Sequence, residues 1–500
     1  MVLPPGTESL DKTTVALLEK FLAAGGTVIS FVDPPKLIGG ASSEVVPALA
    51  ARYSARWKRL SRPAELRAAG VASLALDAQP GGKLFHLRRK LDGGDLFFLV
   101  NSSLDANATG AFTASGRFVQ KLDAATGEFE PYSWRAAAAK ETAPKVSIPF
   151  DLPPAGSLLL YVSQKGVATN QAVPSSPKRP VETPVAPAGP LTVRALSPNI
   201  LKIDYLDLKL AGQEKKGVYF FTAQEEIFKH YGFAGNPWLS TTQFKTEILD
   251  KDHFPEDSGF EAAFHFNIAP GVPSSGMQAV VERPWLWKVL VNGVEVKAPE
   301  DATWIDPDFG RYDIAAQAHA GQNVLTLIAQ PFTVHHELEP VYILGNFGVK
   351  AEPAGWSIVP AAALTTGPWK AQGLPFFSDK VEYSRHYTLK PGQPASVRLG
   401  KWWGTTAEVR VNGKSAGALV SRPWEVNIAP LVKDGDNEID VVVYGSLKNV
   451  FGPHLGKMNR GLVTPWSHRY PPTPLAQPAG ADYDLDGYGL MEDFSVFVRR

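Results

Sequence analysis

The feature that most constrains the fold is a strand-and-turn pattern that occurs twice in the second half of the sequence. Residues 287–293 read WKVLVNG, and residues 407–413 read AEVRVNG. Each copy is a strand that ends in Asn-Gly, the pair that most favours a two-residue hairpin turn. A second turn follows each copy, Gly321-Gln322-Asn323 before VLTLI and Gly435-Asp436-Asn437 shortly before IDVVV. The repeat predicts two related antiparallel β-sandwiches of the jelly-roll type.

The composition agrees with a chain built mainly of β structure. Its 500 residues include 44 Gly, 42 Pro, 12 Trp and 26 Phe, which favours turn-rich strands over helical bundles. A chain of this length needs several separate hydrophobic cores. We therefore expect a mainly β protein: a multidomain row of antiparallel β-sandwich or jelly-roll modules with a short partial α/β segment at the N-terminus.

Residues 1–75 predict helix and strand rather than a sandwich. Ser9 or Asp11 caps a run of apolar residues at helical spacing, Gly25-Gly26 ends the helix, and a strand at 27–32 follows. A parallel strand must be covered on both faces, and this segment is too short to supply the cover. Four further segments are predicted: a small antiparallel β-sandwich at 76–166, a Pro/Ala-rich linker at 167–190, and jelly-roll β-sandwiches at 191–352 and 353–500.

Charge and cysteine content exclude several classes of protein. Lys plus Arg and Asp plus Glu both number 50, so the chain lacks the basic surplus of proteins that bind nucleic acid or anionic membranes. There is no Cys, which removes disulfides, thiolate metal sites and cysteine nucleophiles. No apolar run is long enough to span a bilayer, and the amino terminus lacks the order of a signal peptide. A neutral partner such as a carbohydrate fits this balance best.

Several segments, taken in order, resemble a known family. The VNG and G-x-N pattern is similar to the galactose-binding-like β-sandwiches of family 2 glycoside hydrolases. Residues 3–31, LPPGTESLDKTTVALLEKFLAAGGTVISF, look like the flavodoxin-like α/β domain that follows the catalytic barrel in α-L-rhamnosidase-like enzymes of glycoside hydrolase family 106. HLRRKLDGGDLFFLVNSS, YGFAGNPW, ELEPVYILGNFGV and LKNVFGPHLGK are similar to later segments of that family.

The resemblance covers nearly the whole chain. It implies an exo-acting hydrolase of polysaccharides, located in the periplasm or outside a bacterial cell. It also implies that the catalytic carboxylates and a metal site lie in a barrel upstream of Met1, so none of those residues is assigned to this chain.

No local pair of carboxylates is preferred over a structural interpretation. Glycoside hydrolysis needs two carboxyl groups roughly 5 to 9.5 Å apart across the scissile bond. Glu337 and Glu339 would share one face of a strand at about that separation, but they lead into the apolar run 340–345, which favours a structural or hydrogen-bonding role. The adjacent His335 and His336 would point to opposite faces of a strand, so no metal is assigned to them. We assign no catalytic residue.

Four residues of the last predicted sandwich are candidates for contact with a sugar. Trp403 and Trp466 lie near loops and beside polar residues, where an aromatic face can stack on the apolar side of a sugar ring. Asn449 and His454, in the turn NVFGPH, would supply hydrogen bonds nearby. The alternative is core packing for the two Trp residues and pinning of the turn for Asn449 and His454.

An acidic turn near the carboxyl terminus matches the first half of a calcium-binding loop. Asp482, Asp484 and Asp486 alternate before Gly487, and Asp493 stands where a closing carboxylate would lie. Neither flank predicts a helix, since Pro residues precede the turn and FSVFV indicates a strand. A plain acidic turn is the main expectation, with a structural calcium ion as the alternative and no other cofactor.

Three functions stay open. The first is the non-catalytic carboxy-terminal region of an α-L-rhamnosidase-like glycoside hydrolase, whose sandwiches pack against and support an upstream barrel and contact sugar. The second is a free-standing carbohydrate-binding protein. The third is an enzyme with its own site at Glu337, Glu339 or the acidic turn. No nucleic-acid or membrane partner is expected in any of the three.

Overall fold

The computed structural model describes residues 1–31, 33–66, 75–78, 82–124, 127–137, 144–165, 181–455 and 476–499. The chain divides into two compact units, Met1–Lys178 and Arg179–Arg500. Strands far outnumber helices in these residues, and most strand pairs are antiparallel, which confirms the predicted mainly β, multidomain sandwich architecture. Within the described ranges, no helix is both long and apolar enough to cross a lipid bilayer.

The first helix of the first unit is the one expected from the sequence. The helix spans Lys12–Ala23, directly after Asp11. Gly25 follows with a φ of 96°, a left-handed conformation that glycine adopts at little cost and that is common just after a helix. The helix packs on a small apolar core, whose buried members include Val15, Leu18, Leu22, Val28, Val46, Leu49 and Trp57.

Short strands complete this α/β part. Val28–Ser30, which follows the helix, pairs in parallel with Trp57–Arg59. The α/β character of the amino-terminal segment is therefore as predicted. The remaining elements are the strands Ser9–Leu10, Leu37–Ile38 and Ala41–Ser42, the helix Val45–Arg52 and the 3-10 helix Pro63–Leu66.

Two antiparallel sheets form a small sandwich in the second part of the first unit. Their facing sides bury a core that includes Phe97, Phe112, Ile148 and Leu160. In order across the sheet, the larger one contains Phe129–Pro131, Phe118–Leu122, Ser157–Ser163, Gly94–Asn101 and Leu84–Leu91. The smaller one contains Arg135–Ala136, Lys145–Leu152, Ala108–Ser115 and Ala75–Ala78.

The second unit holds two sandwiches, which we name the inner and the outer sandwich. The inner sandwich spans residues 199–359, whereas the outer sandwich combines strands from residues 182–195 with strands from residues 380–499. Residues 182–195 fall within the predicted linker and the start of the next predicted sandwich, but their apolar side chains pack into the outer core. The inner sandwich is thus inserted into the sequence of the outer one.

The inner sandwich consists of a five-stranded and an eight-stranded sheet. Phe264, Val289, Leu325 and Ile343 are among the residues of its core. The five strands are Asn199–Ile203, Val341–Gly345, Gln278–Glu282, Asp306–Asp313 and Thr303–Trp304. The eight are Gln213–Tyr219, Tyr205–Leu210, Phe260–Ile268, Gly321–Ala329, Lys288–Val291, Val294–Val296, Gly348–Ala351 and Trp356–Val359. Its helices are Phe220–His230 and the 3-10 helices Pro237–Leu239, Lys245–Glu247, Leu249–Lys251 and Pro284–Leu286.

The outer sandwich consists of a five-stranded and a four-stranded sheet. Tyr383, Val397, Val409 and Val441 are buried between them. The five strands are Thr192–Ala195, Lys380–Leu389, Gly435–Tyr444, Thr406–Val411 and Lys414–Leu419. The four are Glu182–Val185, Ser495–Arg499, Ala395–Arg398 and Glu425–Asn427. The remaining elements are the strands Trp402–Trp403 and Gly489–Leu490, the helix Lys448–Phe451 and the 3-10 helices Trp369–Gln372, Ala429–Leu431 and Gly480–Asp482.

The repeated sequence pattern has the same structure in both sandwiches. In the inner sandwich, Lys288–Val291 enters a hairpin at Asn292-Gly293, where φ is 50° and 81°. In the outer sandwich, Thr406–Val411 enters a hairpin at Asn412-Gly413, where φ is 50° and 77°. Two successive positive φ angles define a type I′ turn, for which Asn-Gly is a preferred pair.

A buried asparagine secures the hairpin of the outer sandwich. Asn437 Nδ2 donates to the carbonyls of Lys433 and Gly435, both at 2.9 Å. Its Oδ1 accepts from the backbone N–H of Lys433 at 2.9 Å and from Asn412 Nδ2 at 3.0 Å. The hairpin residue Asn412 is thereby tied to the turn that precedes Gly435–Tyr444. We name this arrangement an asparagine clamp.

The inner sandwich has the same clamp around Asn323. Its Nδ2 donates to the carbonyls of His319 and Gly321, and its Oδ1 accepts from the N–H of His319 and from Asn292 Nδ2 at 2.9 Å. The spacing of the repeat thus has a physical basis, because the Asn of each G-x-N turn holds the Asn of its hairpin.

Candidate functional site

The turn NVFGPH lies where the inner and outer sandwiches meet. It forms the short helix Lys448–Phe451 and continues without regular structure to Leu455. The Phe451 ring packs on the five-stranded sheet of the inner sandwich, with centroids 5.7 Å from Phe309 and 6.1 Å from Tyr342. We name this contact region the junction; it comprises residues 202–204 of the inner sandwich and residues 448–455 and 482–488 of the outer sandwich.

Asn449 and His454 are buried in the junction, at 1% and 2% exposure. Asn449 Nδ2 donates to the Asp486 carbonyl at 2.9 Å, and its Oδ1 accepts from the Asp486 N–H at 2.8 Å. His454 Nε2 lies 2.9 Å from the Asn449 carbonyl, and His454 Nδ1 lies 3.4 Å from Lys202 Nζ. These contacts pin the turn, which is the alternative role considered from the sequence.

Three residues that the sequence did not single out complete the junction. Lys202 and Asp204 are 4% and 2% exposed, and Tyr483 donates a 2.9 Å hydrogen bond to the Asp204 carboxylate. Lys202 Nζ donates to the Phe451 carbonyl at 2.9 Å. Burial lowers the pKa of Lys202 to about 8 and raises the pKa of Asp204. The sequence does carry a signal for Lys202 and Asp204, since they are the two charged residues of the otherwise apolar run ILKIDY. Buried charged residues are normally paired with one another or with other polar groups.

The acidic turn supplies hydrogen-bond acceptors to the junction. The Asp484 carbonyl accepts from Lys448 Nζ at 2.6 Å, and the Asp484 carboxylate lies 3.6 Å from the same ammonium group. The Asp486 carboxylate accepts from the Tyr488 hydroxyl at 3.0 Å. The turn therefore stabilises the part of the junction that the outer sandwich supplies.

The other two predicted calcium ligands have different surroundings. Asp482 is exposed at the end of the 3-10 helix Gly480–Asp482, and Asp493 forms a 2.6 Å ion pair with Arg385. Among the residues that the structure describes, no three His, Asp or Glu side chains form a group suited to a metal ion. Calcium binding by this set stays a prediction.

Trp403 is exposed, whereas its neighbour packs inward. Trp403 is 61% exposed and lies on the short strand that pairs with Gly489–Leu490. Trp402 packs edge-to-face on Trp424 with ring centroids 5.2 Å apart. Trp403 can therefore present an aromatic face to a ligand from solvent. Trp466, the other predicted stacking residue, lies outside the described residues.

Glu337 lies before the strand Val341–Gly345 rather than on a strand. Its Oε1 accepts from Asn236 Nδ2 at 2.8 Å, and its Oε2 accepts from Arg283 Nη1 at 2.7 Å. Pro340 has no backbone N–H to donate to a strand ladder, which explains why the strand starts after it. Glu337 thus has the hydrogen-bonding role that was expected of it, although on an irregular segment.

Among the carboxyl groups near this segment, that of Glu339 has the largest shift in pKa. Burial and the neighbouring Glu282 and Glu337 raise its pKa to about 8. Burial also raises the pKa of Glu282. The carboxyl groups of Glu339 and Glu282 therefore stay protonated to a higher pH than that of an exposed Glu, because ionising a buried group costs its hydration.

No protein-family model and no curated protein matches the sequence. Similar solved structures include the rhamnosidase from Novosphingobium sp. PP1Y, which is 13% identical; the match covers 100% of this chain and 33% of that one, with a TM-score of 0.44. They also include the α-L-rhamnosidase of Streptomyces avermitilis complexed with L-rhamnose, which is 12% identical. That match covers 85% of this chain and 39% of the rhamnosidase, with a TM-score of 0.24.

A β-glucuronidase from Ruminococcus gnavus is 12% identical; the match covers 52% of this chain and 45% of the glucuronidase, with a TM-score of 0.19. These neighbours are all glycoside hydrolases. The present chain spans about a third of the length of the Novosphingobium rhamnosidase. At TM-scores below 0.5, the likenesses assign neither fold nor function to this chain.

Proposed function

We propose that this chain is the non-catalytic carboxy-terminal region of an α-L-rhamnosidase-like glycoside hydrolase that acts outside the cytoplasm. In this proposal the sandwiches support an upstream catalytic barrel and contact carbohydrate. The order of the sequence segments that resemble glycoside hydrolase family 106 is the reason for naming this class.

The observation that carries the supporting role is that three of those segments contact one another. Asn236 of YGFAGNPW donates to Glu337 of ELEPVYILGNFGV. Tyr342 of the same segment packs against Phe451 of LKNVFGPHLGK. Val450, Leu455, Tyr483 and Leu485 of the outer sandwich belong to the same apolar core as the inner sandwich. The Tyr342–Phe451 contact and the shared core hold the two sandwiches together, which suits a frame rather than a reactive site.

The exposed Trp403 supports the carbohydrate-binding part of the proposal. Its ring is available to stack on the apolar face of a sugar, an interaction that exposed aromatic side chains favour. The alternative of a free-standing carbohydrate-binding protein rests on the same residue, so it shares this part of the proposal.

Two measurements separate the proposed region from an independent enzyme. Purified chain is expected to release no 4-nitrophenol from 4-nitrophenyl α-L-rhamnoside above the rate of buffer alone. The genomic sequence upstream of Met1 is expected to continue in frame and to encode a barrel. Turnover that Glu337→Gln abolishes would contradict the non-catalytic role, and an in-frame stop followed by a ribosome-binding site would favour the free-standing protein.

The role of Trp403 is tested by binding. Titration of the chain with oligosaccharides from pectin and xylan, and with methyl α-L-rhamnoside, is expected to detect binding that Trp403→Ala weakens about tenfold, equivalent to roughly 1.4 kcal/mol. Trp285→Ala is the matched control, because Trp285 is 65% exposed but lies on the inner sandwich. Equal affinity of Trp403→Ala and wild-type chain would remove Trp403 from the proposal.

A further inference from the structure

The inner sandwich carries a cavity of about 620 Å³ that neither the junction nor Trp403 explains. It lies between Glu225, in the middle of the helix Phe220–His230, and the loop of residues 232–251, which includes most of the segment YGFAGNPW. Its volume falls within the range of roughly 300 to 1,000 Å³ that is usual for small-molecule sites.

One wall of the cavity is held in place by hydrogen bonds. The Glu225 carboxylate is 13% exposed and accepts from the Asn236 N–H at 3.2 Å. Asn236 is buried, and its Nδ2 donates to Gln224 Oε1 at 2.9 Å. A Cβ on Gly235 would lie 2.5 Å from Glu225 Oε2, so the approach of this carboxylate to the loop depends on glycine. The wall is therefore formed before any ligand arrives.

The other walls combine an aromatic face with polar groups. Phe244 is 61% exposed, whereas Ile248 is 3% exposed. Ser240 and Thr242 add hydroxyl groups, and Glu247 forms a 2.7 Å ion pair with Lys251.

The charged side chains that line the cavity already form ion pairs. The Glu247–Lys251 pair is internal to the lining, and Glu225 lies 3.7 Å from Lys229. A strongly charged ligand would have to compete with these pairs. A neutral ligand with many hydroxyl groups and one apolar face would not.

We propose that this cavity binds a neutral saccharide of one or two sugar units. Phe244 stacks on the ring, and Glu225 accepts a hydrogen bond from a sugar hydroxyl. The choice of a saccharide among neutral polar ligands rests on the proposed function. The site is separate from Trp403, which belongs to the outer sandwich.

Isothermal titration of the whole chain with methyl α-L-rhamnoside and with pectin and xylan disaccharides tests the proposal. Wild-type chain is expected to bind at two sites. Phe244→Ala is expected to lose one of them, with affinity there falling at least tenfold. Phe85→Ala, which removes a ring of similar exposure from the first unit, is the matched control. Glu225→Gln keeps an oxygen that accepts from Asn236 and is expected to weaken the same site without loss of folding.

The outcomes distinguish this site from the function it rests on. Absence of any saccharide binding by wild-type chain overturns the carbohydrate-binding part of the proposed function and this site together. Binding that only Trp403→Ala removes, with Phe244→Ala and Glu225→Gln unchanged, overturns the cavity site and leaves the proposed function intact. Binding that Phe244→Ala and Glu225→Gln weaken while Trp403→Ala does not supports the cavity and excludes Trp403.

Discussion

The asparagine clamps are expected to contribute strongly to the stability of both sandwiches. In Asn437→Ala the side chain that makes four hydrogen bonds with Lys433, Gly435 and Asn412 is removed. Asn437 is 0% exposed, so solvent cannot readily replace these bonds. The backbone groups of Lys433 and Gly435 that bond to it are partly buried and lose this partner, which is more costly than the loss of a fully exposed hydrogen bond.

The magnitude follows from the number of bonds. Each contributes roughly 0.5 to 1.5 kcal/mol net, and bonds within one network are not additive. We therefore expect Asn437→Ala to lower the free energy of unfolding of the second unit by about 3 kcal/mol, which is more than a hundredfold in the unfolding equilibrium. Asn323→Ala is expected to cause a loss of similar size, because it removes the same set of contacts in the inner sandwich.

Urea unfolding followed by tryptophan fluorescence measures the effect. The midpoint is expected to fall in both variants, while Gln322→Ala, an exposed neighbour of Asn323, is expected to leave it unchanged. A loss below about 1 kcal/mol in both variants would refute the reasoning, since it would equal a single ordinary hydrogen bond. A large loss in Gln322→Ala would refute it as well, because the effect would then not depend on the clamp.

Three further predictions concern the junction, the buried carboxyl group and the acidic turn. Tyr483→Phe removes the donor to the buried Asp204 carboxylate and is expected to cost about 1.5 to 3 kcal/mol in urea unfolding; an unchanged midpoint would show that the bond is dispensable. The pKa of Glu339 is about 8 in the folded chain against an ordinary 4.5, so the folded chain binds more protons in this interval and stability should fall as pH rises from about 4.5 to 8. Glu339→Gln should flatten that pH profile, and an equally steep profile would contradict the shifted pKa. Chelation with EDTA should leave the thermal midpoint unchanged, because Lys448 and Arg385 lie beside Asp484 and Asp493; a clear fall that calcium reverses would instead support the calcium set.

Local features of the fold were predictable from the sequence because neighbouring residues determine them. The Asn-Gly hairpins at 292–293 and 412–413 form as expected, since few other residue pairs adopt two positive φ angles. The helix Lys12–Ala23 follows from its apolar spacing and from the glycines after it.

The insertion of the inner sandwich was not predictable in the same way. The strands Glu182–Val185 and Thr192–Ala195 are short and lie among Pro and Ala residues that are typical of a linker. Their partners are Ser495–Arg499 and Lys380–Leu389, far away along the chain. Composition within a short window carries no information about such distant pairing.

The candidate site was predictable in its residues more than in their roles. Asn449, His454 and the acidic turn stand out as polar groups near turns, but only the packing of two domains shows that Asn449 and His454 are buried. Trp402 and Trp403 are identical in type and adjacent, so the alternation of a strand, and not composition, decides which of them reaches solvent.

The insertion also sets the order in which the second unit can fold during synthesis. The inner sandwich is continuous in sequence, so all of its strands have left the ribosome before the outer sandwich is complete. Glu182 and its ion-pair partner Arg499 are 317 residues apart. At about 5 to 20 residues per second, the first strand of the outer sandwich waits roughly 15 to 60 s for the last one. During that time the strand Glu182–Val185 lacks its final partner, and the inner sandwich, whose strands have all been synthesised, is the surface on which the outer one is assembled.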